Sequence, residues 1–235
     1  MIPWFDQPVE PVRCPLTASG LRCAELRESD QMPRPRFARL PVEKQDRIIE
    51  AAGREFADHG YERASLNAII ESAGISKGAF YYYFDDKADL FATILQRVRQ
   101  DIFEPETFDP SKLTADNFWQ AVEDLTQRSL DYNERHPWMP RLSRNLNRHA
   151  DEFGAPLQHF LEEAQQATRR YVQRGRALGV IRDDVPEGLM LAMITALDRA
   201  VDHWFSEAWE DMGADRAAEI SHAIVDMFRG MCEPR

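Results

Sequence analysis

From Pro41 to Phe103 the apolar positions return with a helical period. Ile48, Ala52 and Phe56 stand at i, i+4 and i+8 and give a first helix one buried stripe, with Gly60 suited to a left-handed end. Ser65 is placed to cap LNAIIESA, in which Leu66, Ile69, Ile70 and Ala73 share a face, and Gly74 permits the tight break that follows. Ser76 then caps a short KGAFYYYF, and Asp86 caps KADLFATILQRVRQDIF, whose stripe is Leu90, Phe91, Ile94 and Val98. Farther on, helical segments are predicted at 114–135, 138–150, 155–178, 186–211 and 214–231, with Pro137, Pro140, Pro156, Pro186 and Gly179 at the breaks. No strand pattern competes with them. The expected fold is therefore all-α, a small N-terminal helical domain followed by a larger helical bundle.

Residues 1–40 read differently, because prolines at 3, 8, 11, 15, 33 and 35 interrupt any period. The expected limits are a flexible extension over 1–40, a first helical domain over 41–100 and the bundle over 101–235. Met32 opens MPRPRFARLP, so the functional protein starts either at Met1 or, with residues 1–31 as an upstream extension, at Met32. Arg34, Arg36 and Arg39 make a basic arm ahead of the first helix, which either reaches a nucleic-acid groove or is a solvated tail.

Composition narrows the chemistry. With 235 residues and 43% hydrophobic content the chain can bury one large core or two smaller ones. It has no apolar run of about eighteen residues, and its start lacks the basic and apolar regions of a secretory signal, so a cytoplasmic protein with no membrane partner is expected. Cys14, Cys23 and Cys232 are too few and scattered for a disulfide framework. Neither C-x-x-C nor H-E-x-x-H occurs, His136, His149, His159, His203 and His222 show no ligand spacing on one helix, and no metal or cofactor is expected. The formal charge of -11 argues against a polyanionic partner until its distribution is considered. Residues 32–99 hold 11 basic against 10 acidic groups, whereas residues 100–235 hold 15 against 25. The acid lies mostly in the bundle, and the first domain is close to neutral.

That domain carries the informative motif, ASLNAIIESAGISKGAFYYYFDDKADLF over 64–91. Two short helices about a glycine turn form a helix-turn-helix, whose second helix lies in the major groove of DNA while the first crosses the backbone. Phe80 and Phe84 anchor that second helix inward, leaving Lys77, Gly78, Ala79, Tyr81, Tyr82 and Tyr83 partly outward. Tyrosine hydroxyls can donate to phosphates, their rings can lie on thymine methyls, and Gly78 and Ala79 allow close approach to base edges.

On these residues the chain resembles the TetR/AcrR family of bacterial regulators over 44–95. The resemblance rests on the stripe ending at Phe56, the His59-Gly60-Tyr61 turn, the Ser65 cap, the turn from Ala73 to Gly78, the aromatic run Tyr81 to Phe84, and Lys87-x-x-Leu90. It implies phosphate contacts from Ser65 and Lys87 and base and phosphate contacts across Lys77 to Tyr83, with Ser76 at the start of that helix. Two departures stand out. Tyr83 replaces the histidine or asparagine of many members, and Asp85 and Asp86 lie beside the expected phosphate track, so affinity is expected to be modest and strongly salt-dependent.

In the bundle, Ile194, Leu197, Val201, Trp204, Phe205 and Ala208 form one rich stripe and Ile220, Ile224, Met227, Phe228 and Met231 another. The resemblance implies that these last helices pair with a second copy, giving a homodimer that reads two half-sites, although part of each stripe completes the monomer core. Trp119, Tyr132, Trp138, Phe160, Tyr171, Met190 and Met193, with Phe118, Met139 and Phe153, either line one apolar cavity or are core. The resemblance implies an apolar or amphipathic small effector, and with it a repressor released from a palindromic operator. The alternative is a DNA-binding activator or scaffold that takes no ligand. An enzyme lacks support in the sequence, which has no nucleophile triad order, paired catalytic carboxylates or phosphate loop.

Overall fold

A computed structural model describes residues 35–103, 109–149 and 153–234. Arg34, Cys14, Cys23, Met32 and the question of residues 1–31 lie outside the described residues. Among the described residues every regular element is helical: α1 (Pro35–Ala38), α2 (Val42–Arg63), α3 (Leu66–Ser72), α4 (Lys77–Tyr83), α5 (Lys87–Phe103), α6 (Phe118–Arg135), α7 (Met139–Arg148), α8 (Gly154–Ala177), α9 (Glu187–Ala208) and α10 (Ala214–Cys232). Short 3-10 turns at Pro110–Lys112 and Trp209–Asp211 precede α6 and follow α9. The helix expected from residue 114 begins at Phe118, because Asn117 Oδ1 accepts from Thr114 N at 2.7 Å and holds the intervening residues as a turn.

Within the stretch expected as an extension, residues 35–38 are helical despite the prolines. Proline is tolerated at the start of a helix, and Pro35 opens one turn that buries Phe37 to 3% exposure. Its ring lies 5.1 Å from that of Phe84.

Two cores organise the described chain. The first joins Ile48, Ala52 and Phe56 of α2 to Ile69, Phe80, Leu90 and Phe91, and also to Tyr132, Trp138, Leu142 and Phe153 from the bundle. The second gathers Phe118, Trp119, Tyr171, Ile181, Met190 and Cys232 at the far end. Shared burial in the first core means that α2 is fixed directly to the bundle. Gly53 shows how closely: a Cβ there would meet the Trp138 ring at 2.6 Å.

The joint between α2 and the bundle also has polar contacts. Trp138 Nε1 donates to Glu50 Oε2 at 2.5 Å, with His136 Nδ1 3.3 Å from the same oxygen. Asn145 donates to the Ala57 carbonyl at 2.7 Å, and Arg141 pairs with Asp58 at 3.1 Å. On its other side α7 holds α9, where Arg144 Nη2 donates to the Ser206 carbonyl at 2.6 Å and Arg148 pairs with Glu207 at 2.7 Å. Among the described residues, no helix is long and apolar enough to cross a membrane.

Candidate nucleic-acid interface

Local rules build the helix-turn-helix. Gly60, at φ 72°, ends the regular part of α2. Ser65 N donates to Glu55 Oε1 at 2.8 Å and Ser65 Oγ accepts from Ala68 N at 3.3 Å, which gives partners to amides that a helix start leaves free. Gly74 takes φ 65°, and Ile75 N reaches back to the Ile70 carbonyl at 3.1 Å, closing α3. Ser76 Oγ accepts from Ala79 N at 3.1 Å and starts α4.

Phe80 and Phe84 are buried as expected, and they fix the inner face of α4. Outward stand Ser76, Lys77, Gly78, Tyr81 and Tyr82, the tyrosines at 50% and 53% exposure, with Ala79 half-buried at the edge. Tyr83 departs from its expected outward position. It is only 9% exposed, since three residues after Phe80 it falls on the same inner side of the helix.

Gly78 is the most telling residue of this face. A glycine in a helix costs about 0.5–1 kcal/mol relative to alanine. A Cβ at Gly78 would meet nothing nearer than Ser76 Oγ at 4.0 Å, so no neighbour within the chain requires the glycine. The space it leaves is open outward.

Arg36 and Arg39 of the basic arm lie among the described residues. Burial of Phe37 brings the Arg36 guanidinium 4.7 Å over the Tyr82 ring, a cation-π contact, while Arg39 is exposed beyond it. Lys87, expected at a phosphate, has its ammonium turned inward. Nζ donates to the carbonyls of Tyr61 and Glu62 at 2.6 and 3.0 Å and lies 4.8 Å from the Tyr61 ring centroid, closing the end of α2. Asp86 and Asp89 act together at the start of α5. Asp89 N donates to Asp86 Oδ1 and Asp85 N to Asp89 Oδ2, both at 2.9 Å. Exposed Asp85 and Asp86 therefore have a capping context that their charge alone does not reveal.

The residues expected to line one apolar cavity are not brought together. Tyr132 and Trp138 belong to the core shared with α2, against which Phe160 also packs. Trp119, Tyr171 and Met190 belong to the far core, and Met193 is exposed. The far core is closely packed around Gly175, where a Cβ would meet Ile181 at 2.7 Å and Phe118 at 2.8 Å. Burial there also pushes the Cys232 thiol up to about 11. A groove of about 680 Å³ instead runs between α8 and α9, with Leu191, Ala192 and Ala196 beside Gln165, Arg169 and Arg199.

Of the residues expected at a subunit interface, Trp204 is exposed, while Leu197, Val201, Phe205, Ile220, Ile224 and Phe228 are half-buried. Leu189, Met193 and Met227 are exposed as well, Met227 at 71%. Leu189 was legible only through its spacing, since 189, 193 and 204 share one side of α9.

A short capped helix, anchored by two phenylalanines behind a glycine turn and presenting a bare face, defines a helix-turn-helix DNA-binding protein. Residues 48–94 match the model for bacterial regulatory proteins of the tetR family. The chain is 32% identical over 163 residues to the HTH-type transcriptional repressor SCO4008 of Streptomyces coelicolor, covering 68% of this chain and 79% of that protein. It is 30% identical over 197 residues to the HTH-type transcriptional repressor AcnR of Corynebacterium glutamicum, covering 83% and 95%. In fold it is similar to the fatty acid degradation regulator FadR of Bacillus halodurans, with a TM-score of 0.67 at 16% identity over 79% of this chain and 97% of that one. The chain belongs to the tetR family of bacterial regulatory proteins and is a DNA-binding transcription regulator.

Proposed function

We propose that the protein is a transcriptional repressor that binds a palindromic operator as a homodimer and leaves it when a small apolar or amphipathic effector occupies the larger domain. In this reading residues 41–100 bind DNA, residues 101–235 dimerise and take the effector, and the protein works in the cytoplasm. One observation carries it: the outer face of α4, where Lys77, Tyr81 and Tyr82 are exposed around a glycine that nothing within the chain requires. Ser65, Ser76 and Ala79 extend that face toward phosphates, and Arg36 adds a charge beside Tyr82. Repression, as the sign of regulation, draws support from relatives named as repressors. Exposed Leu189, Met193, Trp204 and Met227 support dimerisation through α9 and α10. The groove between α8 and α9 is lined by both apolar and polar side chains, the mixture that an amphipathic effector needs.

The test is titration of the full chain against DNA flanking its own gene, at two salt concentrations and with excess nonspecific competitor. A palindromic fragment bound by two subunits is expected, with affinity falling steeply as salt rises. Replacing Lys77 and Tyr82 together with alanine is expected to abolish retention, and equal binding by this variant would overturn the assignment of α4. A second reading, a DNA-binding activator or scaffold without an effector, is favoured by the close packing of the far core around Gly175. A small-molecule screen in which no compound changes operator affinity would select it.

A further inference from the structure

A second cleft, of about 750 Å³, opens where α2 meets α5 and α6. Its volume suits a small ligand, and one wall belongs to the DNA-binding domain while the other belongs to the bundle. The hydrogen-bonding groups of its lining are unequally used. Asp46 and Asp101 both accept from Arg97, at 2.8 and 2.9 Å. Glu50 accepts from Arg54 at 2.7 Å on one oxygen and from Trp138 at 2.5 Å on the other. The three carboxylates of the cleft are therefore engaged.

Several donors are not. Arg47 is exposed in the cleft and makes no ion pair among the described residues. Arg135 commits only Nε, to the Asp131 carbonyl of its own helix at 3.2 Å, and its guanidinium lies 5.7 Å from the Tyr132 ring centroid. Tyr132 is wholly buried, and its hydroxyl has no hydrogen-bond partner. Folded proteins seldom leave such a group without a partner. Burial, and after it the Asp101 carboxylate, push the Tyr132 pKa up, so the hydroxyl keeps a proton to donate. Three donors in the cleft thus keep hydrogen-bonding capacity to spare, and two of them are permanent cations.

We infer that this cleft binds a small oxyanion, carboxylate or phosphate in chemistry, paired by Arg47 and Arg135 and accepting a hydrogen bond from Tyr132. It is separate from the groove between α8 and α9 and from the outer face of α4. An occupant would touch both walls and tie α2 to the bundle by a bond that the apo protein lacks.

Calorimetric titration and thermal melting of the full chain with succinate, inorganic phosphate and pyrophosphate, against sodium chloride at equal ionic strength, test the proposal. Saturable binding of at least one oxyanion, with a raised melting temperature, is expected, and none with chloride. Whether succinate or the phosphates bind tells which source the site serves. Arg47→Gln with Arg135→Gln should weaken binding about tenfold or more. Tyr132→Phe should weaken it while melting no lower without the probe, since its hydroxyl has no bond to lose. Lys77→Gln, on α4, should leave binding unchanged. No saturable binding by any of the three oxyanions, or binding lost with Lys77→Gln but retained in the cleft variants, would overturn the site.

Discussion

Gly78 separates stability from function at a single residue. Because a methyl group there would meet open space, Gly78→Ala should stabilise the free protein by up to about 0.5–1 kcal/mol, read as a higher melting temperature. The same methyl would project from the face assigned to base edges, so operator affinity should fall. A variant that melts higher and binds DNA as well as the parent would remove α4 from the groove. Gly53 has the opposite character. A Cβ there would lie 2.6 Å from ring atoms of Trp138, so Gly53→Ala should destabilise by about 1–3 kcal/mol in urea unfolding. Both are glycines within helices, and nothing in their immediate sequence context distinguishes the one pressed against a ring from the one facing open space.

At the scale of elements, legibility followed distance along the chain. The caps at Ser65 and Ser76, the Gly74 turn and the stripe of α2 are set by neighbours within four residues, and each is found where the pattern puts it. Lys87 binds carbonyls 25 and 26 residues away, and Trp138 reaches Glu50 across 88 residues, which no local pattern encodes. The candidate ligand residues divide between two cores for a related reason: aromatic and methionine side chains signal burial, but not which core will take them. The Glu50 contact joining α2 to the bundle also has a pH signature. Partial burial raises its pKa, but hydrogen bonds from Trp138, Arg54 and His136 outweigh this, and the folded value lies below the ordinary 4.5. Its contribution is therefore fully present above the unfolded value and lost as pH falls through the folded one. Urea midpoints measured between about pH 6 and pH 3 should fall more steeply for the parent than for Glu50→Gln. Parallel curves would show that the joint does not depend on this charge.

For the whole molecule, the decisive question is what covers the exposed apolar side of α9 and α10. If a second copy does, placing a charge at Trp204 should leave a folded monomer with much weaker operator binding, because one short helix reads few base pairs. Sedimentation of Trp204→Glu checks this, and an unchanged dimer would move the interface elsewhere. Within the chain the ten residues of α7 stand between the helix that leads into the helix-turn-helix and the apolar side of α9, gripping α2 through Arg141 and Asn145 and α9 through Arg144 and Arg148. Such a helix should be conspicuous to genetics. If the chain is the effector-released repressor proposed above, a selection for alleles that keep the target gene silent in the presence of the effector should return substitutions at Arg144 and Arg148, mutants whose operator binding is normal and whose deafness to the signal comes from neither proposed binding site.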